Sequence, residues 1–329
     1  MPRTVTGIKP TGLPHLGNYL GMIRPALELA RGAEALCFIA DYHALTTVPP
    51  PGTIRDGTLD LAATLIAFGL DPERTVLYRQ SDLPEICVLT WILGCVGQKG
   101  VLNRAHAYKA AVQDNLAAGR DADHGVGMGL FSYPVLMAAD ILIHRADLVP
   151  VGSDQRQHVE IARDLAASFN RAYGPVLVVP EAAIDAAVMT IPGIYGRKMS
   201  KSYGNELALF ATPEEIRRRV LRIVTDSRAP SEPKDPDTIL ALYSQVAVAA
   251  DADDLARRYR AGQVGYAEAK ALLAEAIQQL IGPARERHSE LMSDPAGLQA
   301  TLARGAARAR ESAAATLVAV RTATGLGWA

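Results

Sequence analysis

Three cysteines in 329 residues, none in a Cys-x-x-Cys pair, are too few and too scattered for a disulfide framework, a zinc site or an iron–sulfur cluster. Cys37, Cys87 and Cys95 are expected as buried free thiols. No run of about eighteen apolar residues is present, which argues against a membrane helix. The start, Met1-Pro2-Arg3 leading straight into Thr4-Val5-Thr6, lacks the basic and apolar regions of a secretory leader. A soluble, cytoplasmic protein with no membrane partner is expected. Net charge is nearly absent too, at −1, so the molecule as a whole gives no electrostatic pointer to nucleic acid. From Glu206 onward 16 Lys plus Arg balance 16 Asp plus Glu. Clusters such as Arg217-Arg218-Arg219, Arg257-Arg258 and Arg304 with Arg308 read as solvated helix faces or as phosphate contacts.

What is present is 49% hydrophobic residues, enough for a real core in one large or two ordinary domains. Residues 1–205 alternate strand-like and helix-like patterns. Thr4–Gly7, Leu36–Ala40, Val76–Gln80, Leu148–Val151 and Val176–Val179 are the strand candidates, with helical stretches such as Thr58–Gly69 and Val159–Tyr173 between them. That order predicts an α/β fold, a doubly wound, Rossmann-like parallel sheet that binds ligands at the carboxyl ends of its strands. About 85–127 breaks the alternation and reads as a helical insertion. Beyond Thr212-Pro213-Glu214-Glu215, a capped helix start, residues 206–329 carry helical texture only, with helix starts near Asp251, Tyr266 and Asp294. An all-α C-terminal domain is predicted.

Two short runs carry chemistry. Pro14-His15-Leu16-Gly17-Asn18 lies where a strand turns into a helix, and backbone N–H groups there suit anions. His15 can donate from a ring nitrogen to a phosphate oxygen, and Asn18 offers an amide. Lys198-Met199-Ser200-Lys201-Ser202, between Gly193, Gly196 and Gly204, supplies cations on a loop able to close over developing charge. Alone, the first is as well read as a plain helix-start turn and the second as a solvated loop. Together, in this order, they describe a site for the triphosphate of ATP. In Tyr133-Pro134-Val135-Leu136-Met137-Ala138-Ala139-Asp140, Pro134 suits a helix start, and Tyr133, Met137 and Asp140 share one face. Asp140, among apolar neighbours, is either in a buried ion pair or faces a ligand donor.

These two runs resemble the signatures of the class I aminoacyl-tRNA synthetases, a His-x-Gly-His or His-x-Gly-Asn turn and a Lys-Met-Ser-Lys-Ser loop. The Tyr133–Asp140 run, Val149-Pro150-Val151-Gly152-Ser153-Asp154-Gln155-Arg156-Gln157-His158 and Asp41-Tyr42-His43-Ala44-Leu45-Thr46 are similar to the tryptophanyl branch. The resemblance implies that His15, Asn18, Lys198 and Lys201 are catalytic. It implies ATP contacts from Lys9, Pro10, Thr11, Gly17, Gly152, Ser153, Asp154, Val188, Met199, Ser200 and Ser202 as well. It further implies that tryptophan is held by Asp140 at the indole N–H, by Met137 on the ring, by Tyr133 and Gln155 at the amino group, and by His43. The partners implied are L-tryptophan, ATP with Mg²⁺ on its phosphates, tRNA(Trp) read by the helical domain, and a second copy in a homodimer contacted through the insertion. Asp154 also reads as a helix cap paired with Gln157. Lys9 stands where the bacterial pattern usually has glutamine and Ser153 where it has glutamate, so tighter ATP binding or a weaker Mg²⁺ requirement is expected. The alternatives are the tyrosine-specific sister, a nucleotidyltransferase, and a synthetase-like regulator that has lost catalysis.

Overall fold

The computed structural model describes residues 2–10, 12, 14–151, 155–184 and 191–327. Five parallel strands, β1 (Arg3–Ile8), β2 (Glu34–Ile39), β3 (Val76–Arg79), β4 (Leu148–Val151) and β5 (Glu181–Ile184), lie in the order β3-β2-β1-β4-β5. β1 pairs β2 from Arg3↔Glu34 to Ile8↔Ile39, and β4 flanks its other side. The order reverses between β1 and β4, and a crevice opens at the carboxyl edge of such a switch point. The Rossmann-like reading therefore holds. The strands run Val5, Leu36, Phe38 and Tyr78 into one core and Ile8, Cys37, Ile39 and Leu77 into the other, so both faces are covered.

The fifth strand corrects the sequence reading. Val176–Val179 has the β-branched composition of a strand, yet the Asn170 side chain takes its backbone: Oδ1 accepts from the N–H of Val176 and Leu177, and Nδ2 donates to the Leu177 carbonyl. The β4 ladder is filled by Glu181–Ile184, after Pro180. Pro134 does not open a helix either. It lies inside the helix Met128–Leu142, whose earlier turn is held by Phe131 packing edge-on against Tyr108, with ring centroids 5.0 Å apart.

The insertion is helical as expected, over Glu85–Val96, Lys99–Leu102 and His106–Ala117. Everything regular after Lys201–Tyr203 is α-helical: Pro213–Leu221, Thr238–Val246, Ala249–Ala261, Tyr266–Ser293 and Pro295–Thr324. The capped start expected at Thr212 forms, and Thr212 and Glu215 close it as a reciprocal capping box, at 3.3 and 3.0 Å. The last helix packs against β3, and Tyr266–Ser293 packs against the helix Thr53–Ala67. Ile216, Leu273 and Ile277 join the core under Ile8 and Ile39, while Ala306, Ala309 and Ala313 of the last helix join the core over Tyr78. Gly305 sits so close to β3 that a Cβ would collide with the Leu77 carbonyl oxygen. Where the helix crosses, Ser312 Oγ meets buried His144 Nδ1 at 2.8 Å, and Tyr78 Oη meets its Nε2 at 2.8 Å. No helix among the described residues is long and apolar enough to cross a membrane. Of the cysteines only Cys37 is buried, its thiol pushed up to about 12 by desolvation. Cys87 and Cys95 are exposed, contrary to expectation, because they lie on the outer face of the helix Glu85–Val96.

Candidate functional site

β1 ends at Ile8, and the chain turns at Gly12, whose φ of 80° is a conformation that side chains with a Cβ rarely adopt. His15 then caps the helix beginning at Leu16. Its Nδ1 accepts from the Asn18 N–H at 3.2 Å, and Asn18 Oδ1 accepts from the His15 N–H at 3.0 Å. The reciprocal cap settles the ring's chemistry. Burial, and then Lys201 beside it, hold His15 below its usual range, so the ring is neutral. With Nδ1 accepting, the proton sits on Nε2, which is the atom able to donate to an anion. Asn18 uses its carbonyl in the cap and has its NH2 group for the same task.

The second run folds onto the first. Gly17 N–H meets Met199 Sδ at 3.2 Å, and a Cβ on Gly17 would stand 3.1 Å from Met199 Cβ. Met199 is buried and acts here as packing between the two runs. Leu16 N–H donates to the Leu207 carbonyl at 2.8 Å, and Leu209 N–H to the Pro14 carbonyl at 3.0 Å. Lys201 Nζ lies 3.2 Å from where a Cβ on Gly12 would be. Burial lowers the Lys201 pKa, against the opposing pull of Asp60 and Glu206. Lys198 is exposed, with its backbone bridged to Pro192, and Ser200 and Ser202 share a hydroxyl hydrogen bond of 2.8 Å. Asn205, which sequence reading passed over, organises the loop from within. Its Oδ1 accepts from Ser200 N–H at 2.8 Å, and its Nδ2 donates to the carbonyls of Lys198 at 3.1 Å and Arg197 at 3.3 Å. Gly193 makes room, since a Cβ there would collide with the Asn205 amide.

A second cluster occupies the carboxyl ends of β2 and β3. Asp140 is fully buried, bonded to His43 Nε2 through Oδ2 at 2.9 Å and to Gln80 Nε2 through both oxygens at 2.9 and 2.8 Å. Burial raises the Asp140 pKa, and the bonds from His43 and Gln80 oppose that rise. The buried-partner reading of Asp140 is thus realised, and one lone pair of the four a carboxylate offers is left for a ligand donor. Tyr133 Oη meets His158 Nε2 at 2.6 Å, and the Tyr133 ring stands edge-on to His43 with centroids 6.1 Å apart. Met137 is half-buried on the same helix. Gln155 is exposed at the N-terminus of the helix Arg156–Tyr173. The Gln157 side chain bridges the His106 N–H and the Arg104 carbonyl, each at 2.8 Å. Lys9 Nζ lies 5.8 Å from the Tyr133 ring centroid, and burial lowers its pKa. Pro10 is buried with its carbonyl 2.9 Å from where a Cβ on Gly57 would be. Thr11, Gly152, Ser153, Asp154 and Val188 lie outside the described residues.

Gln80 was a missed residue, although a polar side chain at the carboxyl end of a predicted strand of such a sheet is where a ligand-facing group is expected. His158 carries no signal of its own in the sequence, because its contact to Tyr133 depends on the packing of two helices.

The family model of class I tRNA synthetases (W and Y) matches residues 1–282. Tryptophan–tRNA ligases from Xylella fastidiosa and Pseudomonas aeruginosa are 51% and 50% identical over 98% of this chain, which spans 76% and 74% of their lengths. A crystal structure of the tryptophanyl-tRNA synthetase from Campylobacter jejuni complexed with ADP and tryptophan superposes with a TM-score of 0.87 at 38% identity, over 98% of this chain and 99% of that one. With the folded signature loops, the parallel sheet and these relatives in agreement, the chain belongs to the class I tRNA synthetases of the tryptophan and tyrosine group, in its tryptophanyl branch.

Proposed function

We infer that this chain activates L-tryptophan with ATP and transfers it to tRNA(Trp), the activity of a tryptophan–tRNA ligase. The observation that supports this best is the closure of the Lys198–Ser202 loop on the His15 turn, with Lys201 Nζ against Gly12 and Met199 on Gly17. The tryptophan carboxylate is already a nucleophile and needs no general base. It attacks the α-phosphorus of ATP in line, the bond to the bridging oxygen breaks, and pyrophosphate leaves with that electron pair. Catalysis comes from positioning and charge stabilisation. His15 Nε2–H and the Asn18 amide hold phosphate oxygens, and Lys198 and Lys201 neutralise the leaving pyrophosphate. Mg²⁺ bound through the ATP phosphates would supply further counter-charge to that of Lys198 and Lys201.

In the amino-acid pocket Asp140 accepts the indole N–H, Met137 packs on the ring, and Tyr133 with Gln155 holds the amino group. A buried acceptor left without its donor rejects a phenylalanine-like competitor by about 10⁴–10⁵, far more than a greasy slot achieves. The helical residues 206–329 form the tRNA-binding domain, and the enzyme works in the cytoplasm as a homodimer. Exposed Cys87, Trp91 and Cys95, at i, i+4 and i+8 on the helix Glu85–Val96, give the second copy an apolar face to cover.

Charging of tRNA(Trp) with labelled tryptophan tests the function. Stoichiometric charging by the wild type, lost by more than about 100-fold in Lys201→Ala at unchanged thermal stability, is expected from the scale of such stabilising contacts. Tryptophan binding without charging would instead favour a regulatory relative that has lost catalysis.

A further inference from the structure

A carboxylate that selects a ligand by one hydrogen bond must keep a single lone pair turned to the pocket, and nothing in a lone aspartate enforces that. Here three elements meet around it. Asp140 comes from the helix Met128–Leu142, His43 from the turn after β2, and Gln80 from the 3₁₀ turn Gln80–Asp82 after β3. Gln80 is fully buried. Its Oε1 accepts from the backbone N–H of Tyr42 at 3.1 Å and of His43 at 3.4 Å, which fixes the amide's orientation and aims its NH2 group at Asp140. That group then spans both carboxylate oxygens, at 2.9 and 2.8 Å. Oδ2 also receives His43, so the acceptor capacity left over is on Oδ1. The Gln80 turn is itself held from outside. Ser81 N–H donates to Asp41 at 2.9 Å, its hydroxyl donates to the same carboxylate, and Arg310 of the last helix donates to the Asp82 carbonyl.

We propose that Gln80 is a positioning residue for tryptophan selection: it locks the Asp140 carboxylate so that Oδ1 alone is offered to the indole N–H. Gln80 does not touch the substrate. The proposal rests on the reading that Asp140 accepts the indole N–H, and the test separates the two. Amino-acid-dependent ATP–pyrophosphate exchange is measured with tryptophan and with its benzothiophene isostere, in which sulfur replaces the N–H, on wild type, Asp140→Asn, Gln80→Met and Gln80→Glu. The wild type should favour tryptophan in kcat/KM by at least about 10- to 100-fold, the scale of one hydrogen bond to a charged group, and by less than the ~10⁴–10⁵ set against a phenylalanine-like competitor, because the isostere keeps the full ring area. Gln80→Met should collapse that ratio towards the Asp140→Asn value, through KM for tryptophan more than through kcat. Loss of general fold quality would lower both substrates alike and leave the ratio standing. Gln80→Glu, nearly isosteric, carries the test if the methionine variant does not fold: it offers Asp140 one shared proton in place of the NH2 group that spans both oxygens, so it should lose most of the ratio too. If Asp140→Asn collapses the ratio while both Gln80 variants keep it, the role of Gln80 is refuted and that of Asp140 stands. If Asp140→Asn keeps the wild-type ratio, the indole reading fails and the proposal falls with it.

Discussion

Replacing Asn205 by alanine should slow adenylate formation without weakening tryptophan binding. The side chain makes three hydrogen bonds inside the lysine loop, one at 2.8 Å from Ser200 N–H and two longer ones, 3.1 and 3.3 Å, to the carbonyls of Lys198 and Arg197. At a net 0.5–1.5 kcal/mol each, with the longer pair at the lower end, the loop's folded-down form loses about 1.5–2.5 kcal/mol. At 1.36 kcal/mol per decade this is about a 13- to 70-fold lower rate, provided Lys198 and Lys201 act in the transition state. Asn205→Asp should be at least as slow. It keeps the acceptor for Ser200 but sets a charged oxygen against two carbonyls. Single-turnover adenylate formation at saturating ATP and tryptophan reads the rate, and equilibrium titration reads tryptophan affinity. A rate within threefold of wild type for Asn205→Ala, or an equal loss in tryptophan affinity, would refute this role for the loop.

Acid should strip stability from the buried His144, whose pKa is pushed down to about 3 by desolvation. The folded state holds the neutral ring, so this contribution is complete above the ordinary value of 6.5 and is lost as pH falls below it, by about 1.4 kcal/mol per pH unit. Urea unfolding at pH 7.5 and 5.0 should therefore show about 2 kcal/mol less acid sensitivity in His144→Gln; identical pH dependence in the two proteins would contradict it. Gly305→Ala should cost about 2–3 kcal/mol in the same assay, because the new Cβ meets the fixed Leu77 carbonyl. Gly94→Ala, with open space around its Cβ inside the helix Glu85–Val96, should gain about 0.5–1 kcal/mol. Trp91, 76% exposed, anchors the proposed dimer face, so Trp91→Asp should sediment as a monomer where the wild type is a dimer, and an unchanged dimer would place the interface elsewhere.

Where local chemistry decides the structure, the sequence was readable. The Thr212–Glu215 box, the helix after Asp294 and the first four strands follow from caps and short apolar runs, and all formed near their expected bounds. Val176–Val179 was misread because strand propensity says nothing about Asn170, six and seven residues upstream of the groups it captures. Pro134 was misread because proline favours the first turn of a helix, whereas here the helix has already begun at Met128. The site divides in the same way. His15, Asn18 and Lys201 were legible because anion chemistry needs those residue types near turns. Gln80 and Asn205 were not, because neither is defined by its neighbours in the chain. Each matters through partners that only the fold brings together: Asp140 for Gln80, and the carbonyls of a loop that closes on Gly17 for Asn205. The ambiguity at Asp140, ion pair or ligand donor, was also real, since the carboxylate holds His43 and retains acceptor capacity at once.

The most direct test of function is ATP–pyrophosphate exchange measured with each of the twenty amino acids in turn. Exchange with tryptophan alone, abolished in Lys201→Ala and made unselective or lost in Asp140→Asn, is the expected result; exchange driven by tyrosine or another amino acid, or full tryptophan exchange surviving both substitutions, would contradict the site described.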